Sequence, residues 1–205
     1  MLTITAPFPP FNPFNQSYKA TIGADFVRKE MPWDGADVGR VKLQLWDIAG
    51  QDRFIHLTRS YFSKAMGAVI VCDVTREGTF ESAQKWKAEI DRVLQEENPD
   101  ALPIPVVLLA NKSDLLIDTT TSFVAGAQME QTCSRHNMAG WYVTSAKTDD
   151  NVDEAMHFLV DKMVDVRAKN QAREAASFPR LGGRGRNNSI SLREKPAKKK
   201  SSSCC

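Results

Sequence analysis

Gly67-Ala-Val-Ile-Val-Cys-Asp73 is an unbroken apolar run closed by an aspartate. A run of this kind reads as a parallel strand buried on both faces, because a sheet with one wet face would alternate. Pro105-Val-Val-Leu-Leu-Ala110 and Trp141-Tyr-Val-Thr144 are two more such runs. Segments with helical spacing separate them. Phe80, Ala83, Ile90 and Val93, with Trp86 near the same face, mark one helix; Val152, Ala155, Met156, Leu159, Met163 and Val166 mark another. Upstream, 25–33 and 40–47 read as two strands, with Asp34-Gly35 and Gly39 punctuating a hairpin link. In the second, Val41, Leu43 and Leu45 alternate with Lys42, Gln44 and Trp46. The alternation of strand and helix predicts a three-layer α/β fold, a mostly parallel sheet with helices on both faces. Ligands of such sheets sit outside the carboxyl ends of the strands.

Three polar signatures fall at those ends. Asn111-Lys112-Ser113-Asp114 follows a buried strand, where the Asp114 carboxylate can accept two hydrogen bonds from the amide and amino groups of guanine. Adenine offers no such donor pair and would leave the carboxylate unpaired. Ser145-Ala146-Lys147 closes the next strand and would aim a backbone N–H at the base oxygen. Trp46-Asp47-Ile48-Ala49-Gly50-Gln51 ends the hairpin strand. There Asp47 suits a carboxylate holding Mg²⁺ through water, and Gly50 permits close backbone approach to a terminal phosphate. Gln51 suits a residue that orients an attacking water. Thr21 is a candidate metal ligand through its hydroxyl. Each residue alone has a bland alternative, as turn, cap or surface; their order along the chain is what carries weight.

These signatures ordinarily follow a G-x-x-x-x-G-K-[ST] loop, whose backbone N–H groups and lysine hold the phosphates. No such string occurs in the 205 residues.

The chain resembles the Rab small GTPases from Phe14 to about Arg167. Ile22-Gly-Ala-Asp-Phe26, Lys42-Leu-Gln-Leu-Trp-Asp47 and Arg53-Phe54 carry the likeness, with Asp52 in place of the usual Glu. The resemblance implies a Ras-like, P-loop NTPase-type sheet, GTP/GDP and Mg²⁺ as ligands, and a monomeric molecular switch in membrane trafficking. It also makes Ile22, Phe26, Trp46 and Tyr61 an effector-binding surface, three of them an aromatic triad. Ile48-Ala-Gly-Gln51 and Gly140-Trp141 are similar to the subgroup serving lysosome-related organelles, melanosomes and mitochondria. The implied location is the cytoplasmic face of endomembranes, with a cytosolic pool. In that family a first strand, phosphate loop and first helix precede the Phe14 equivalent, so the expected sheet lacks its first strand and first helix. Leu2-Thr3-Ile4-Thr5 is a candidate for the central slot, but it is short and prolines follow at once.

Charge divides the chain. Residues 1–166 hold 16 Lys/Arg against 23 Asp/Glu; residues 167–205 hold 11 against 2. An acidic globule with a basic tail is drawn to anionic lipid or nucleic acid at one end. The division expected is a leader over 1–13, a GTPase-like domain over 14–167 and a flexible basic tail over 168–205. Cys204-Cys205 resembles the terminus that the Rab escort protein presents to geranylgeranyl transferase, and Lys198 to Lys200 supply a polybasic stretch beside it. Two prenyl chains would anchor stably where one would not. The other cysteines, Cys72 in a strand and Cys133 on a helix, suit a reducing compartment. A nucleic-acid role is not expected, since the Arg/Gly tail lacks interleaved aromatics. The alternative to a working switch is a prenylated binding module without catalysis.

Overall fold

A computed structural model describes residues 2–4, 21, 23–33, 39–50, 59–116 and 126–177. Six strands form one sheet: β1 (Leu2–Ile4), β2 (Ala24–Pro32), β3 (Arg40–Ile48), β4 (Gly67–Asp73), β5 (Val106–Asn111) and β6 (Gly140–Val143), in the order β2-β3-β1-β4-β5-β6. Only β2 and β3 pair antiparallel, as the hairpin the sequence suggested; the other pairings are parallel. The helices are α1 (Arg59–Phe62), α2 (Glu77–Glu97), α3 (Gly126–Arg135) and α4 (Val152–Ser177).

The expectation of a sheet without its first strand is corrected here. Leu2–Ile4 runs parallel between β3 and β4, with Leu2 opposite Leu45 and Gly67 and Ile4 opposite Asp47 and Val69. Three residues suffice because a buried ladder edge costs free energy until something pairs with it. The expectation of a missing first helix falls on residues 5–20, which lie outside the described residues, as do 178–205.

Alternation along β4 divides the core. Ala68, Ile70 and Cys72 join Phe80, Trp86 and Ile90 of α2 and Met129 and Cys133 of α3 on one face. Val69 turns the other way, with Leu43, Leu45, Val107 and Leu109, against Ala155, Met156, Leu159 and Met163 of α4. Both faces of β4 and β5 are thus covered, which is why their sequences show no polar alternation. Helix α4 continues past Arg167 to Ser177, through residues the sequence assigned to the tail. Ala168, Lys169, Gln171, Ala172, Arg173 and Glu174 are strong helix formers, and propensity carries the helix on although 171–176 are all exposed.

The hairpin is fastened to α4 at two points. Trp33 donates its indole N–H to Asp161 Oδ1 at 2.7 Å, and Lys29 pairs with Asp153 at 3.2 Å.

At Gly67 the strand passes close beneath α4. A Cβ there would stand 2.8 Å from both Cγ and Sδ of Met163 and 3.2 Å from Leu159 Cδ1. Gly67→Ala is therefore expected to destabilise the chain by about 1–3 kcal/mol through overpacking. Urea midpoints of Gly67→Ala, Met163→Ala and the double variant check this: the double variant should lie above the sum of the singles, and strict additivity would contradict the clash.

Candidate functional site

The carboxyl ends of β3, β4 and β5, together with the loop after β6, gather the signature residues on one rim of the sheet. The most closely knit part joins β5 to the loop after β6. Lys112 adopts the left-handed conformation, φ 71°, turning the chain sharply out of β5 into the 3-10 turn Ser113–Leu115. Ser113 N–H then donates to Thr144 O at 3.1 Å, locking that turn to the next strand end. Asn111, buried at 7% exposure, faces inward; its Oδ1 accepts from Ala146 N–H at 3.0 Å and from Thr144 Oγ1 at 3.4 Å. Asn111 therefore acts as a brace between loops and does not point outward.

Ser145 is fully buried and holds the other side. Its hydroxyl donates to Asp114 Oδ1 at 2.7 Å and accepts the N–H groups of Lys147 and Thr148, each at 3.2 Å. Lys147 Nζ lies 3.5 Å from Asp114 Oδ2. The Asp114 carboxylate is thereby fixed in orientation while keeping lone pairs for a planar donor pair.

Sequence reasoning missed Asp73. Its Oδ2 pairs with Lys112 Nζ at 2.8 Å, while Oδ1 accepts Thr75 N–H at 2.9 Å and Thr75 Oγ1 at 2.6 Å. Burial works against its charge, but the bonds from Lys112 and Thr75 outweigh burial and lower its pKa. An aspartate closing a strand with threonine two residues on is an Asx-turn signal, legible in Asp73-Val-Thr75. The Lys112 partnership had no local signal. Neither buried cysteine adds chemistry: burial pushes the Cys72 thiol up to about 12 and Cys133 up to about 11.

At the end of β3, Thr21 Oγ1 donates to Asp47 Oδ2 at 3.0 Å, and Asp47 Oδ1 is buried without a hydrogen-bond partner. Burial raises the Asp47 pKa to about 6; the Thr21 bond opposes this and the charge of Asp25 adds to it. An orphaned buried carboxylate oxygen beside a hydroxyl fits a hydrated Mg²⁺, which uses few protein ligands and keeps several waters. Among the described residues no group of three or more His, Cys, Asp or Glu offers a competing metal site. Gly50 follows on the exposed side of the strand end. Gln51 and Ile22 lie outside the described residues, and so do Cys204 and Cys205.

The aromatic triad forms a row across the β2–β3 hairpin onto α1. Ring centroids are 5.4 Å apart for Phe26 and Trp46 and 5.3 Å for Trp46 and Tyr61, both tilted. Phe26, at the outer end of the row, is 53% exposed. Trp46 Nε1 is buried without an acceptor.

A sheet of this order with binding residues at its carboxyl ends defines the Ras-like class of nucleotide-binding α/β domains. The Ras family model matches residues 10–165. The chain is 47% identical over 151 residues to human "Ras-related protein Rab-32", covering 74% of this chain and 64% of that protein. It is also 47% identical over 171 residues to "Ras-related protein Rab-32A" of Dictyostelium discoideum, covering 82% and 75%. With rat "Ras-related protein Rab-7L1" it shares 39% over 184 residues, covering 90% and 82%. The chain belongs to the Ras family, among its Rab members. It spans just under two thirds, 64%, of the length of the human Rab-32 relative.

The raised pKa of Asp47 has a stability consequence. A carboxyl whose pKa goes from 3.8 to about 6 on folding contributes stability that is full below the lower value and lost as pH rises through the upper. In metal-free protein Asp47→Asn keeps an acceptor for Thr21 and removes the buried charge. Its unfolding free energy from urea titration is expected to exceed that of the parent at pH 7.5, by about 1–2 kcal/mol after allowing for solvent on the exposed side, and to match it near pH 4. Equal free energies at both pH values would contradict the assignment.

Proposed function

We propose that this chain is a Rab-type guanine-nucleotide domain serving membrane trafficking, anchored through its C-terminus. The observation that carries the reading is the Asn111–Ala146 and Ser145–Asp114 bonding at the strand ends, which presents a fixed carboxylate to a base. Asp114 reads the guanine edge, Ser145 and Lys147 hold it in place, and Asn111 braces the Ala146 loop by accepting its N–H, the bond that a base oxygen would have to displace. Lys112 lies alongside, held by Asp73. Thr21 and Asp47 would hold Mg²⁺, Thr21 through its hydroxyl lone pairs and Asp47 through water. The ion when bound supplies positive charge against the phosphate oxygens. Gly50 makes room for the terminal phosphate and Gln51 orients water for hydrolysis. Ile22, Phe26, Trp46 and Tyr61 present the face read by effectors. Cys204 and Cys205 are prenylated by geranylgeranyl transferase in the presence of the Rab escort protein. With Lys198 to Lys200 they hold the chain on the cytoplasmic face of endosomal or lysosome-related membranes. Ile48-Ala-Gly-Gln51 and Gly140-Trp141 support that organelle class.

The 205 residues hold no G-x-x-x-x-G-K-[ST] loop. A site without it forgoes around five charge-assisted hydrogen bonds at about 1.5–3 kcal/mol each, on the order of 10 kcal/mol and about 10⁷-fold in affinity. This favours a second reading for a polypeptide of these residues alone: a prenylated module that binds partners without hydrolysing GTP. Titration of fluorescent GDP into the purified 205-residue chain separates the two. Weak or absent binding with no detectable hydrolysis is expected; tight one-to-one nucleotide would overturn the second reading. GDP preferred over ADP in whatever binding remains, and lost in Asp114→Ala, would support the base-reading role. Indifference to both would sink it.

A further inference from the structure

β2 is the outer strand of the sheet, with no strand beyond it among the described residues. Its register with β3 is unbroken, from Ala24 opposite Ile48 to Pro32 opposite Arg40. Bonds at both ends of the hairpin fix which residues face outward. Ala49 N–H donates to Gly23 O at 2.9 Å and Trp33 N–H to Gly39 O at 3.3 Å, so residues 23 and 33 stand in hydrogen-bonded pairs. Such pairs alternate along an antiparallel ladder. The odd residues of β2 therefore turn their backbone groups to β3, and Ala24, Phe26, Arg28 and Glu30 turn theirs outward. That outward row ends on one side at Gly23, which leaves extended backbone at φ 78°, and on the other at Pro32, which has no N–H. Its midpoint is Val27, 43% exposed.

We propose that this edge pairs with the same edge of a second copy of the chain, antiparallel and about a two-fold axis through Val27. An axis normal to the sheet keeps every side chain on its own face, so only residues of equal parity stand opposite one another. Centred on Val27, Ala24 faces Glu30, Asp25 faces Lys29 and Phe26 faces Arg28, and all four outward residues of each protomer enter the ladder. On the α4 side, Asp25 of one protomer meets Lys29 of its partner, which is held at 3.2 Å from Asp153 of its own chain. On the other side, Arg28 of one protomer meets the Phe26 ring of its partner; within one chain the guanidinium carbon lies 6.0 Å from that ring's centroid. Neighbouring registers lose these matches. Centring on Arg28 sets that residue against itself and Ala24 against Pro32, and centring on Phe26 leaves Asp25 facing Val27 and Glu30 outside the ladder. Charge complementarity thus selects both the occupant and the register. The shared edge is short, so the pairing belongs with small, weak interfaces. It would bring the two aromatic rows together on one face of a continuous sheet. None of this rests on nucleotide binding.

Cross-linking of the full-length chain carrying Cys204→Ser and Cys205→Ser, with diamide as oxidant, tests the register. Val27 stands opposite its own copy in a non-hydrogen-bonded pair, where Cα atoms lie about 4.5 Å apart and within disulfide reach. Val27→Cys is therefore expected to form a covalent dimer at least about tenfold faster than Glu30→Cys, whose two copies lie six residues apart along the strand, about 20 Å. Equal rates overturn the proposal. Sedimentation equilibrium of the same chain without either added cysteine, up to about 1 mM, is expected to show a reversible dimer. Arg28→Pro removes an outward N–H without touching the bonds to β3 and should abolish that dimer. Asp25→Lys places like charges opposite each other and should weaken it by about tenfold. A monomer at every concentration, or a dimer indifferent to both substitutions, overturns the proposal. Urea midpoints check that each variant folds; should Arg28→Pro not fold, Asp25→Lys decides the matter.

Discussion

Everything in this molecule hangs on the pairing of two strand edges at the centre of the sheet. β3 carries Asp47, the candidate metal-site carboxylate, and Trp46, the middle ring of the aromatic row; β4 carries Asp73 and leads into the helix that supports α1. If the two did not share a neighbour, the hairpin with its candidate residues would be a separate unit from the half built on β4, β5 and β6. Leu2–Ile4 supplies the neighbour with ladders to both sides. Its register stops at Asp47 on one flank and Val69 on the other, so the bridging is complete just where β3 delivers its carboxylate.

The rim built on that sheet divides into a rigid part and an open part. The loops after β5 and β6 brace one another through Asn111, Thr144, Ser145 and Asp114, a network with its buried polar atoms satisfied. Such networks hold side chains in one geometry before any ligand arrives. At the end of β3 the logic is reversed. Asp47 Oδ1 has no partner, and burial works against the carboxylate's charge, raising its pKa to about 6. A fold tolerates an unsatisfied group of this kind where a ligand is to complete it.

How much of this was legible in sequence follows from the range of each interaction. The strands β4 and β5 and the apolar stripes of α2 and α4 announce themselves through local periodicity, and so does the position of the binding residues at strand ends. Asn111, Asp114 and Ser145 stand together as their order suggested. What escaped depends on partners far apart in the chain. Nothing in Leu2-Thr3-Ile4 says that two strands some 40 and 65 residues away will accept it. Likewise nothing in Asp73 points to Lys112, or in Leu102 to Asn170. The end of α4 was misplaced for a different reason: a basic composition reads as tail, yet most of the residues 168–176 favour helix, and Asn170 adds a bond to Leu102.

The two ties between the hairpin and α4, at Trp33–Asp161 and Lys29–Asp153, carry a mechanical meaning. One strand of that hairpin bears Phe26, and the helix leads directly toward the terminus proposed to hold the membrane. The proposed recognition surface and the helix leading to the proposed anchor are therefore bolted to each other by a route that bypasses the strand-end rim. In a chain anchored as proposed, tension between partner and lipid would pass along this strut, and the loops after β5 and β6 would stay out of the line of force.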